Sequence, residues 1–321
     1  TVFLLLRHRW KGDRILPEDL RYSPRPMRPQ VLLTRLIKIA IPISIGAIVM
    51  NVAQAVDTVT IINCLQFAFD KFPKAMEKQF SGTVPAEVMA AGEAANFIFG
   101  SYSGYALSVF NLVPSFTSIF GKSALPNVTT CWSSGDRKGT RVNTESVVRM
   151  TAMIAAPASF GILFMAQPIL ALLFPSKTAE VAIAASVLSW QGISLIFLGL
   201  TTPLFSVLQG LGEVTKPPKY MLVGMIIKLV VNLVTIIIPV ININGAAAGT
   251  GACYLAILIL TCQGIKRVSG IRFSFIRLLM KPLLSGALCG ASAWGVYALL
   301  HGILPDQLAT LLAIAMAGVI Y

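Results

Sequence analysis

Few residues in this sequence have chemistry to offer, and most of those lie inside apolar runs. The stretch KYMLVGMIIKLVVNLVTIIIP, residues 219–239, carries a lysine, Lys228, nine residues beyond Lys219. An ammonium in hydrocarbon costs roughly 3 kcal/mol even on the most lenient insertion scale. Either its stem reaches back to the headgroups, or its charge faces an aqueous cavity. Reaching back means covering about 13 Å from Lys219, of which a lysine stem recovers roughly 6 Å. Gly224, Lys228, Asn232 and Thr235 share one helical face within about 80°. This stripe continues past the lysine to depths that snorkelling does not explain, which favours the cavity.

Two other runs carry similar stripes. Ser44, Asn51, Gln54 and Thr58 fall within about 80° of one another, and Asp57 borders them. Gly100, Gly104, Ser108, Asn111, Ser115 and Ser118 do the same in the next run. Asp57 can lie near the outer interface, or it can line a cavity and hold a cation, a proton or a basic partner. The candidate substrate-binding residues are Lys228, Asn232, Asn51, Gln54, Asp57, Asn111 and Ser108. Amides and hydroxyls around one cation and one acid suit binding; they do not form a nucleophile and base. No HExxH or GxSxG motif occurs, and the GKS at 121–123 has Phe116 where a phosphate loop needs its first glycine. No catalytic residue, metal site or cofactor is expected.

The elements that must position these residues are dictated by composition. Of 321 residues, 55% are hydrophobic and 12% charged, and the mean hydropathy is +0.76. A soluble domain carries about 25% charged residues. Eight apolar runs reach the ~20 residues a membrane helix needs, near 37–62, 95–121, 150–174, 179–209, 219–240, 245–265, 279–300 and 306–321. The class is therefore an all-α, polytopic transmembrane bundle. The net charge of +13 does not indicate nucleic acid, because its placement is that of a membrane protein. Residues 7–38, 122–149, 216–219 and 266–281 hold nine, five, two and five Lys or Arg, all in alternate loops. The opposite loops hold Lys71, Lys74, Lys78 and Lys177. The basic loops, including the linker 7–34, are expected in the cytoplasm. Five scattered cysteines fit neither a disulfide framework nor a zinc site.

Three parts are expected: residues 1–34, a helix end with a basic linker; 35–270, six helices; and 271–321, two more. The chain reads as part of a longer protein. Pro24, Pro26 and Pro29 exclude a continuous helix in the linker, and Thr34 is a candidate cap for the next one. The segment 67–93 suits a short amphipathic helix. Pro114 offers a kink, and the glycine pairs 100/104, 245/249 and 286/290 suggest close helix contacts.

The segment FGSYSGYALSVFNLVPSFTSIFGKSALPNVT resembles the eighth helix of the stage V sporulation protein B family of polysaccharide exporters. APASFGILFMAQPILALLFPS and LFSVLQGLGEVTKPPKYMLVGMIIKLVVNLVTIIIPVININGAAAGTGACYL resemble the later helices of that family, and AIPISIGAIVMNVAQAVDTVTI resembles its seventh helix. The similarity covers about residues 30–270 and places the chain in the superfamily that includes multidrug exporters, lipid II flippases and O-antigen flippases. It implies the second lobe, about helices 7–14, of a fourteen-helix, two-lobed bundle with the first lobe missing. It further implies alternating access that carries a lipid-linked sugar, of the polyprenyl pyrophosphate type, across a bacterial plasma membrane. Lys228 would then meet the anionic headgroup, and the neighbouring amides the sugar hydroxyls. Coupling would come from Na⁺, H⁺ or membrane potential. A cation-coupled multidrug exporter and a non-transporting membrane scaffold are the alternatives.

Overall fold

The computed structural model describes residues 28–270 and 275–321. The helix end expected at residues 1–6 and residues 7–27 of the linker lie outside them. Every regular element among the described residues is helical, and they fall in two units, Thr1–Pro42 and Ile43–Tyr321. In the first unit, the described residues enter helix α1 (Pro29–Lys71) at Pro29. Proline suits this first helical position, where no N–H is needed. Thr34 is not a cap: it lies inside the helix and its hydroxyl donates to the Gln30 carbonyl at 2.8 Å.

In the second unit α1 continues to Lys71, past the end expected near 62. The expected amphipathic segment forms two short helices, α2 (Pro73–Phe80) and α3 (Ala86–Ala90). Met76 and Phe80, one turn apart, are the buried side of α2. Phe80 stacks on Phe69, and the Met76 sulfur accepts from Asn242 Nδ2 at 2.9 Å.

The second apolar run is not one helix. It divides into α4 (Ala94–Ser101), a π-helical segment (Tyr102–Ala106), α5 (Leu107–Phe110) and α6 (Leu112–Ser133). The break after Phe110 has a covalent cause. Pro114 has no N–H for the Phe110 carbonyl four residues earlier, so the α-helical ladder stops at Asn111.

Four helices come next in simple succession: α7 (Arg137–Leu173), α8 (Thr178–Gly210), α9 (Lys216–Thr235) and α10 (Asn244–Ser269). After them come α11 (Phe275–Leu300) and α12 (Asp306–Ile320). Among the described residues, α7 to α10 and residues 278–300 of α11 are long and apolar enough to cross a membrane; α12 is shorter. Asp136 starts α7 by accepting from the Gly139 N–H at 2.8 Å. Pro168 leaves the Phe164 carbonyl without a donor, and α7 kinks at Met165 (φ −116°, ψ 19°).

Helix α8 forms the centre, packed against α6, α7 and α10, with Leu188, Leu195, Leu204 and Leu208 fully buried. Small residues permit the close approaches, as expected where lipid supplies no hydrophobic drive between helices. A Cβ on Gly192 would sit 2.9 Å from the Leu163 backbone of α7. The 286/290 pair does the same against α7, at 2.8 Å from backbone atoms of Ala156 and Phe160. The 245/249 pair lies against α9, where Gly245 meets Thr235 and Gly249 meets Asn232. The 100/104 pair behaves differently from expectation, since neither glycine has a neighbour within 4 Å. Its face is open, so spacing alone did not identify a contact.

These contacts predict a contrast. Gly290→Val forces backbone apart between α7 and α11 and should cost about 1–3 kcal/mol. Gly100→Ala meets nothing and should be neutral or gain up to ~1 kcal/mol from helix propensity. Thermal unfolding of the two variants in detergent checks the difference.

Candidate functional site

Asp57 on α1, Lys228 and Asn232 on α9 meet in one cluster. Lys228 Nζ lies 2.5 Å from Asp57 Oδ2, and Asn232 Nδ2 donates to Asp57 Oδ1 at 2.8 Å. The carboxylate thus accepts from residues one helical turn apart on α9, and both its oxygens are engaged. The side chains of Lys228 and Asp57 are only 17% and 13% exposed, and Asn232 is fully buried. The lysine therefore does not run back to the interface; its charge ends on a partner from another helix.

Space for this arrangement is made by Gly249. Any Cβ there would collide with Asn232 Oδ1. That oxygen is buried and has no hydrogen-bond partner among the described residues. Asn232 is therefore fixed through its amide nitrogen alone.

The ion pair lines a cavity of about 240 Å³. Gln54 and Thr58 of α1, Asn111 at the helix break, and Tyr102, Thr250 and Tyr254 share its wall. The π-helical segment turns Tyr102 inward to near-complete burial. Its hydroxyl accepts from Gln191 Nε2 of α8 at 3.4 Å, and on α10 the Thr250 hydroxyl donates to the Ala246 carbonyl at 2.8 Å. A tyrosine bonded to α8 thus shares the cavity wall with the ion pair. Met221, Met225 and Ile257 complete it with apolar surface.

Of the candidate residues, Lys228, Asp57, Gln54 and Asn111 line this cavity, with Asn232 directly behind Asp57. Asn51 and Ser108 do not line it. Both are exposed, and Ser108 spends its hydroxyl on the Gly104 carbonyl at 2.6 Å. Tyr102, Gln191 and Thr250 join the site without having stood out in the sequence. The lone glutamine within TAEVAIAASVLSWQGISLIF was a usable signal, because a buried amide needs a partner.

The profile of the family described as "Lipid II flippase MurJ" matches residues 93–314, more than half of the chain. The chain belongs to that family. The match is to the lipid II flippases of the superfamily rather than to the stage V sporulation protein B branch itself. The lipid II flippase MurJ of Bacillus subtilis is 25% identical over 162 residues, covering 50% of this chain and 29% of that protein. An uncharacterized membrane protein of Methanocaldococcus jannaschii is 26% identical over 149 residues, 46% of this chain and 28% of that one. The matched segment thus spans less than a third of either relative. This chain is a multi-pass membrane protein of a flippase family whose named members move a lipid-linked precursor.

The geometry predicts an asymmetry between single and paired changes. Lys228→Met or Asp57→Leu alone strands one charge in a nearly buried site and should cost about 3 kcal/mol or more. The double variant strands none and should recover most of that loss. Denaturation midpoints of the three variants, compared in one detergent, test this.

Proposed function

We propose that the protein flips a lipid-linked oligosaccharide or peptidoglycan precursor across the cytoplasmic membrane, with this cavity as part of the headgroup path. Family membership supports the reaction class. The observation that carries the site is the ammonium of Lys228, held at the cavity wall by Asp57, with Gln54, Thr58 and Asn111 lining the same cavity.

A pyrophosphate headgroup brings negative charge into this cavity. Lys228 offers three donors, of which Asp57 uses one, so a phosphate oxygen can be met without breaking the pair. A charge-assisted contact of this kind contributes about 1.5–3 kcal/mol. Asp57 keeps the ammonium in place and offsets its charge while the cavity is empty. Gln54 and Asn111 present amides, which donate and accept, as sugar hydroxyls require. The polyprenyl tail stays in lipid, and access alternates between the two sides as this half and the rest of the protein rock around the cavity. The basic loops lie in the cytoplasm of a bacterial cell, and Na⁺, H⁺ or membrane potential supplies the direction.

A cation-coupled drug exporter of the same superfamily fits less well. The acid it would need, Asp57, already has both oxygens occupied by Lys228 and Asn232. A scaffold would close its polar helix faces against neighbours, whereas Gly100 and Gly104 face open space.

The test uses the full-length protein in cells that depend on it, at matched expression. The paired variant Asp57→Leu with Lys228→Met removes the cation without stranding a charge. It should fold yet slow precursor export about tenfold or more, so that undecaprenyl-linked precursor accumulates on the cytoplasmic side. Lys228→Arg, which keeps the charge, should retain most export. Normal export by the paired variant would remove Lys228 from the mechanism.

A further inference from the structure

The cavity that holds the ion pair has a second stretch of wall with different chemistry. Met221 and Met225 of α9 and Cys253 of α10 all line it. The two methionines are one helical turn apart, so their side chains are neighbours on the helix surface. Gly224 stands in the turn between them, and a Cβ there would lie 3.0 Å from Cys253 Sγ. The thiol is therefore packed against the turn that carries both thioethers. At 100° per residue, Met221 and Met225 lie about 60° and 100° round the helix from Gly224, on the side of Lys228. Three sulfur-bearing side chains from two helices thus meet at one part of the cavity wall.

Apolar packing is the ordinary use of methionine and cysteine. Neither methionine, however, belongs to the buried apolar clusters of the bundle. Both are half-buried and border the cavity. Their unbranched side chains can turn toward a ligand without any movement of the backbone.

The donor set decides which ligand suits this wall. Thiolate and thioether sulfur are soft donors and select Cu⁺ over hard cations. The carboxylate of this cavity, Asp57, has both oxygens taken by Lys228 and Asn232, so it is not free for a hard cation. Charge decides the valence. A metal bound to Cys253 displaces the thiol proton, which leaves to water. A monovalent ion therefore enters without changing the net charge of the site. A divalent ion would add a positive charge near the Lys228 ammonium.

We propose that Met221, Met225 and Cys253 bind one Cu⁺ ion at the wall of this cavity. The site stands on the three sulfurs and does not depend on what the cavity transports. Cysteine spacing gives no sign of it, because two of the donors are thioethers and Cys253 is 28 residues from Met225. Among the described residues, no group of three or more His, Cys, Asp and Glu could hold a metal, so a borderline ion such as Zn²⁺ finds no ordinary site there.

The experiment is an anaerobic titration of the purified full-length protein in detergent against Cu⁺ held by bicinchoninate, whose colour reports the Cu⁺ withdrawn. Cys253→Ser should take up one equivalent less than the wild type. Met221→Leu with Met225→Leu, which nearly conserves side-chain volume, should weaken uptake of that equivalent roughly tenfold or more, as disturbing a metal's surroundings does. Met150→Leu with Met153→Leu, an exposed pair on α7, should leave it unchanged. Unaltered uptake in either of the first two variants overturns the site. An equal loss in the α7 pair also overturns it, since the ion would then be held by scattered sulfur. Zn²⁺ that competes for the same equivalent overturns the assignment to a monovalent ion.

Discussion

A carboxylate, an ammonium and an amide buried together set the terms for the rest of this bundle. Neither Asp57 nor Lys228 is tolerable alone in an apolar layer, because no water is there to solvate a stranded charge. Held 2.5 Å apart with Asn232 on the second carboxylate oxygen, they become a neutral unit that ties α1 to α9. Nearby glycines serve that geometry. Gly249 leaves room for Asn232, and Gly224 lets α9 approach Ile257 and Cys253 of α10. The α9–α10 pair is thereby fixed as the platform on which the lysine stands.

The cavity beside this unit exists because the second apolar run does not form a regular helix. The π-helical segment and the break at Asn111 change which residues point inward. Tyr102 becomes buried, Asn111 reaches the cavity wall, and Gly100 and Gly104 face open space. Irregular backbone of this kind is tolerated at membrane depth where it borders a cavity, since freed polar groups find partners there. The Gln191–Tyr102 hydrogen bond then anchors the irregular segment to the rigid core around α8. A polar binding surface is thus supported from behind by tightly packed helices.

Where α9 hands over to α10, closure depends on a single residue. Asn242 adopts φ 51°, a left-handed conformation for which asparagine is better suited than most side chains. From there its amide reaches Met76, so the turn between α9 and α10 fastens α2 across that end. The same turn sets where α10 begins and hence the position of Gly249 opposite Asn232.

Much of this was legible in the sequence, for reasons rooted in the solvent. A bilayer demands long apolar runs with internally satisfied backbones, so the type of elements could be read from hydropathy alone. Helical periodicity likewise placed Lys228 and Asn232 on one face, because a helix fixes that relation locally. Other features depended on contacts between distant segments. Lys228 faced either an interface or a cavity until Asp57, 171 residues away along the chain, was found against it. Asn51 and Asn111 carried the same signal, yet only Asn111 reached the cavity, because the backbone break re-aimed it. Equal glycine spacing at 100/104 and 286/290 gave an open face in one case and a tight contact in the other. Residue pattern is enough for an all-helical membrane bundle with polar stripes; which stripes meet depends on packing, since a buried charge takes its partner from the helix laid against it rather than from spacing along its own.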